Sequence, residues 1–133
     1  AHSILNTPPV FADYVVLLVT RWLLGEIGGL AAMERVNTAK AALLYRALDD
    51  SDGFYAGHAA PADRSKMNVA FKLPTPELEA TFIAAARAAG FSGLGGHRSI
   101  GGIRASIYNG LTFGAVEKLV DFMDGFRRQA PRP

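Results

Sequence analysis

Cysteine is absent from the 133 residues, which excludes disulfide frameworks, cysteine-rich zinc sites and thiol nucleophiles and makes the cytoplasm the expected compartment. Long apolar runs are also missing. The longest charge-free apolar stretch, residues 14–20, falls far short of the roughly 20 residues that span a bilayer, and no signal-peptide pattern opens the chain, so no membrane partner is expected. Histidine is scarce: His2, His58 and His97 are widely separated and show no HExxH spacing, which argues against a metal site. Neither charge sign dominates, since 14 basic and 12 acidic residues leave a net charge of +2 and are mostly interspersed. Only Arg127-Arg128 and Arg132 form a basic tail, the pattern of a solvated helix end favoured by the helix dipole rather than of a nucleic-acid surface. The chain opens at Ala1-His2 without an initiator methionine, which raises the expectation of a segment upstream.

What is present is ample apolar material, 50% of the residues, enough to bury one domain core without a metal or a disulfide. Thr7-Pro8-Pro9 predicts a helix start, with Thr7 as cap and proline in the first turn, and the helix is expected over residues 8–24. Its apolar residues Tyr14 to Val19, Trp22 and Leu23 cover more than one face, so it is expected to pack on another domain or a partner subunit. After the Gly28-Gly29 break, Met33, Val36, Ala39, Leu43 and Ala47 keep helical spacing to about residue 48, where Asp49-Asp50-Ser51-Asp52-Gly53 marks a turn. Met67, Val69, Phe71 and Leu73 alternate with Asn68, Ala70 and Lys72, the signature of a strand with one buried face. Thr75-Pro76-Glu77 caps a third helix that Gly90 stops. Short strands are expected at residues 91–94 and 103–108 with a glycine-rich loop between them, followed by a helix through Val116, Leu119, Val120, Met123 and Phe126. The order ααβαββα fits an α+β fold, a small antiparallel or mixed sheet covered by helices.

Residues 90–110 hold seven of the fourteen glycines, around His97, Arg98, Ser99 and Arg104. Glycine permits close backbone approach and positive φ, Arg98 offers a planar fork for phosphate or carboxylate, and His97 adds a second donor. Arg104 is expected on the strand face opposite Ile103, Ala105 and Ile107, so two arginines six residues apart can grip two anionic groups of one small molecule. The pattern equally admits a structural loop with salt-bridged arginines. Asn6-Thr7 before the prolines is a second anion candidate at a helix N-terminus, with plain capping as its alternative. Asp63, Arg64, Ser65 and Lys66 read as a solvated loop.

Five blocks then stand in the order and spacing of one family: Asn6-Thr7-Pro8-Pro9; Gly29-Leu30-Ala31-Ala32-Met33-Glu34; Asp63 to Val69; His97-Arg98-Ser99-Ile100-Gly101-Gly102-Ile103-Arg104 on to Asn109; and Val120-Asp121-Phe122-Met123. On these the chain resembles the phosphoserine aminotransferases, pyridoxal-phosphate (PLP) enzymes of fold type I that convert phosphohydroxypyruvate to phosphoserine with glutamate as amino donor. The resemblance implies a C-terminal small domain spanning residues 1–133, a cytoplasmic homodimer as the complete protein, and a place in serine and pyridoxine synthesis. It implies that Asn6 and Thr7 reach the cofactor phosphate of the neighbouring subunit, that His97 and Arg98 contact the substrate phosphate, and that Arg104 holds the substrate α-carboxylate. It also implies that the family's Schiff-base lysine lies in a large domain ahead of Asn6. Lys40, Lys66, Lys72 and Lys118 do not match that lysine's segment, so no catalytic residue is assigned here and the chain alone is expected to be inactive. Two rivals remain: a non-catalytic module that keeps the phosphate grip or a dimerising helix, and the small domain of another fold type I aminotransferase with an unphosphorylated substrate. The His97-Arg98 pair argues against the latter.

Overall fold

The computed structural model describes residues 5–97 and 100–130. The chain divides into two compact parts, Ala1–Arg35 and Val36–Pro133.

In the first part, helix α1 (Val10–Trp22) continues into a wider π-type turn, Leu23–Ile27. Gly28 ends that turn at φ +87°, a left-handed conformation that costs glycine nothing. Thr7 does not cap α1: Pro9 occupies the N-cap and no side-chain cap bond forms there. No residue of α1 is buried, Phe11 and Val10 are 80% and 66% exposed, and Trp22 at its end is half-buried. Among the described residues no single helix is long and apolar enough to cross a membrane.

Helix α2 (Leu30–Asp49) begins in the first part and runs through the second. The second part also holds strands β1 (Ala56–Gly57) and β2 (Asn68–Lys72), helix α3 (Pro76–Ala88), strands β3 (Gly95–His97) and β4 (Gly101–Ser106), and helix α4 (Phe113–Gln129). The sheet order is β1-β2-β4-β3, antiparallel throughout. Fold class and helix order follow the sequence pattern, with three differences. A two-residue edge strand, β1, joins the sheet; the strand expected at residues 91–94 forms at Gly95–His97; and its partner begins at Gly101, so the glycine-rich segment is itself a hairpin.

Alternation makes one sheet face apolar, with Val69 and Phe71 of β2 and Ile103 and Ala105 of β4 buried. Against them pack Leu44 and Leu48 of α2, Phe82 and Ala86 of α3, and Val116, Leu119 and Met123 of α4 in one core cluster. Phe82 is fully buried and meets Tyr55, Phe71, Phe122 and Phe126 edge to face, with ring centroids 5.1–6.1 Å apart. Burying such a ring stabilises the fold by about 2–3 kcal/mol. Thr75 and Thr112 cap α3 and α4 through their hydroxyls, accepting from Leu78 N and Ala115 N.

One core position is charged. Lys40 of α2 is fully buried, and its ammonium donates to the carbonyls of Ile107, Tyr108 and Leu111 at 3.1, 2.8 and 2.9 Å. Burial lowers its pKa, and the three acceptors satisfy all three of its donors. Asn37, one turn earlier, donates to Asn109 Oδ1 at 2.8 Å, so α2 grips the segment that leaves β4 at two points. Lys40→Met retains the apolar stem and removes the charged donor from those carbonyls, of which Tyr108 O keeps the bond from Leu111 N; chemical denaturation should show a loss of about 3 kcal/mol, and a change below about 1 kcal/mol would mean that water replaces the ammonium.

Candidate functional site

Strand β3 pairs with β4 through Gly95↔Ile103 and His97↔Gly101, and Ile100 N donates to His97 O to close the turn. Gly101 and Gly102 both take φ +70°. A Cβ on Gly96 would stand 1.9 Å from Gly101 O, and one on Gly102 would stand 2.8 Å from Phe71 O. These glycines therefore let backbone approach backbone, which the composition alone does not distinguish from a loop that approaches a ligand. The geometry separates two glycines of one sequence pair. Gly96→Ala should prevent the hairpin from closing and cost about 2–4 kcal/mol, whereas at Gly95 an added methyl meets nothing within 4 Å, so Gly95→Ala should stay within about 1 kcal/mol. Thermal unfolding of the two variants side by side checks this, and equal midpoints would refute it.

The other face of the sheet is polar. Register places Asn68 opposite Ser106 and Ala70 opposite Arg104, as the alternation of Arg104 with Ile103 and Ala105 predicts. Ser106 Oγ donates to Asn68 Oδ1 at 2.9 Å. The neighbouring polar side chains, Asn68 first and then Ser106, and the charge of Arg104 draw the pKa of the Tyr108 phenol below the ordinary tyrosine value. Among the described residues, the buried Nε–H of Arg104 meets no acceptor. A half-buried guanidinium with an unused donor, flanked by Gly102 and Ala70 on one side and a hydroxyl-rich group on the other, is suited to a planar anion such as a carboxylate.

The candidates picked out in the sequence do not all meet here. Along β3, His97 falls on the side of Gly95 and Ile103, whereas Arg104 falls on the opposite side; what the sheet gathers beside Arg104 is Asn68, Ser106 and Tyr108. His97 is exposed at the hairpin tip, and Arg98 and Ser99 lie outside the described residues. Asn6 and Thr7 are exposed ahead of α1, and His2 lies outside the described residues. The Asp63 to Lys66 loop is not simply solvated. Arg64 forms a two-point ion pair with Asp49 at 2.5 and 2.7 Å and lies 4.5 Å above the Tyr45 ring, while Ser65 Oγ accepts from Met67 N and Asn68 N. The latter contacts set the start of β2, and with it the position of Asn68. Arg127 and Arg128 both pair with Asp124 inside α4, beside a cleft of about 450 Å³ bordered by Ser51, Phe54 and Pro74. That cleft carries none of the sequence candidates.

Sequence reasoning passed over Tyr108, Ser106 and Asn68 as site residues. The signal was the polar half of the β2 and β4 alternation, which needs the strand register before its members can be paired.

Comparison with known proteins bears on this arrangement. Phosphoserine aminotransferase of Geobacillus kaustophilus is 55% identical over 129 residues, covering 97% of this chain and 36% of that protein. Among solved structures, phosphoserine aminotransferase from Bacillus circulans subsp. alkalophilus matches with a TM-score of 0.91 at 47% identity, over 96% of this chain and 35% of that one. A PLP-bound phosphoserine aminotransferase from Trichomonas vaginalis matches with a TM-score of 0.85 at 36% identity, over 92% of this chain and 35% of that one. The chain thus spans about a third of the length of these relatives. Residues 2–119 match the family model described as Aminotransferase class-V, and the chain belongs to that family.

Proposed function

We propose that this chain is the C-terminal, substrate-gripping domain of a phosphoserine aminotransferase, which passes the amino group of glutamate to 3-phosphohydroxypyruvate in serine synthesis and in pyridoxine synthesis. The observation that carries the reading is the buried, unpartnered Nε–H of Arg104 on the polar sheet face, in a chain similar along nearly its whole length to enzymes of that name. Every amino and keto acid in this reaction bears an α-carboxylate, and Arg104 is its partner. The substrate phosphate falls to His97 and Arg98, the latter outside the described residues.

The residues present suit one end of PLP. Asn6 and Thr7 are exposed and form no cap bond at α1, so an amide and a hydroxyl can donate to a phosphate, and the partner subunit's cofactor is the one they would hold. To the aldehyde end we assign no lysine of this chain: the Lys40 ammonium is held by three carbonyls, Lys66 is engaged, and Lys72 and Lys118 stand in segments that do not match the family's lysine segment. PLP supplies the electron sink for transamination; this chain binds and orients the substrate, and the lysine belongs to a large domain outside these residues. The exposed apolar surface of α1 supports docking of this helix on that domain or on a second subunit of a cytoplasmic homodimer.

Two measurements test this. The isolated chain mixed with PLP should give no stoichiometric visible band that responds to glutamate; such a band would place a competent lysine within the 133 residues. In the complete enzyme, Arg104→Lys keeps the charge but loses the two-point contact, and single-turnover rates of the glutamate and phosphoserine half-reactions should fall together by roughly tenfold to a hundredfold. Arg98→Ala should impair the phosphoserine half-reaction most, because a site built for a phosphate then lacks a partner for it. Equal losses for Arg98→Ala, or a phosphoserine-selective loss for Arg104→Lys, would reverse the assignment.

A further inference from the structure

On the polar face of the sheet, beside Arg104, stands a side chain to which the reading above gives no task. Asn68 lies directly across the ladder from Ser106 and diagonally from Arg104, which itself stands opposite Ala70. Asparagine is depleted from strands, where a β-branched residue packs better on a half-buried surface, yet β2 opens on one and holds it at both ends. Its backbone N–H donates to Ser65 Oγ at 3.1 Å, and its side-chain Oδ1 accepts the Ser106 hydroxyl at 2.9 Å. The second bond uses the single proton of Ser106 and decides which arm of the carboxamide faces across the sheet. The nitrogen, on the other arm of the same carbon, is turned away from Ser106 with its two N–H groups. A half-buried asparagine fixed in this way has given up rotamer freedom, a cost that the ladder itself does not require.

We propose that the amide of Asn68 is a second donor to the carboxylate held by Arg104, with Ser106 as the residue that aims it. The proposal rests on the reading of Arg104 as the carboxylate partner. Register supplies the reach. Diagonal neighbours in an antiparallel ladder stand about 7–8 Å apart, and a carboxylate that accepts from both spans that gap, since each hydrogen bond covers about 3 Å. Ala70, opposite Arg104 and next to Asn68 on the same face of β2, is the residue between them, and its methyl leaves the gap open. The donor inventory agrees, because an amide carries two N–H groups: a neighbour such as the Tyr108 phenol can engage one while the other serves the ligand. The two donors divide the work. The guanidinium, whose buried Nε–H meets no acceptor among the described residues, supplies the charge and the planar contact, and the neutral amide fixes the carboxylate's rotation about its own axis.

The test is equilibrium binding of glutarate, which carries glutamate's two carboxylates and no amino group, to the complete PLP-loaded protein by calorimetry. Asn68→Ala should raise Kd roughly tenfold. Asn68→Val, with a side chain that strands favour, should raise it equally while the melting temperature stays near that of the parent, which separates a lost donor from a damaged fold. Ser106→Ala leaves the amide present but free to turn and should raise Kd about threefold. Because Ser106 acts only through Asn68, adding Ser106→Ala to Asn68→Ala should weaken binding no further. An unchanged Kd in both Asn68 variants beside a weakened Arg104→Lys would overturn the second donor and leave the Arg104 assignment standing. Unchanged affinity in all three would overturn the two together. Losses that sum in the double variant would show Ser106 acting independently of Asn68 and would overturn its aiming role.

Discussion

The buried ammonium of Lys40 is the constraint on which the polar end of the sheet depends. An uncompensated charge in a core costs several kcal/mol, so its position is stable only while carbonyl oxygens surround it, and those oxygens come from three residues of the segment between β4 and α4. The requirement works in both directions. Lys40 needs the 107–111 segment in one conformation, and that segment, which bears Tyr108 and starts α4 at Thr112, has its exit path from the sheet set by Lys40. Ile107, anchored in the core on one side and bonded to Lys40 through its carbonyl, joins the two demands in a single residue. The polar face is therefore supported from behind by the same elements that build the apolar one.

Much of this was legible in the residues. The two-residue period from Met67 to Leu73 predicted β2 and the sides on which Val69 and Asn68 lie, and Thr75 with Pro76 marked the start of α3, because both signals are local and depend only on strand pleat and helix capping. Arg104 was placed on the correct strand face by the same reasoning. The hairpin was not legible in the same way. Glycines at residues 95, 96, 101 and 102 serve equally as a flexible loop or as strands brought together, and only the near contact of Gly96 with the carbonyl of Gly101 separates the two. Lys40 was also missed. The buried face of α2 runs through Met33, Asn37, Lys40, Ala41, Leu44 and Leu48, whereas Val36 and Ala39 of the stripe picked out by spacing are exposed, so the inward stripe was missed because two of its members are polar.

The contrast between α1 and the rest of the chain has a physical reading of its own. Residues from Val36 onward meet the ordinary rule that apolar surface is removed from water, down to complete burial of Val69, Phe82 and Met123. Helix α1 is at least as apolar and buries nothing, with Tyr14, Val16 and Val19 among its exposed residues. Contiguous apolar surface of this kind marks an interface rather than a finished exterior. This pattern marks α1 as surface suited to being covered by another polypeptide.

The edges of the sheet bear on how such a chain behaves in solution. β1 offers two residues and β3 three, and β3 turns back through glycines at positive φ directly after Ile100. Neither rim is long enough to template the strand of another molecule, since pairing gains too few main-chain bonds to offset the entropy of association. Intermolecular β-extension is disfavoured at both ends of the sheet. Strand addition is therefore disfavoured as a route of association at either rim, and helical surface is the better-suited alternative.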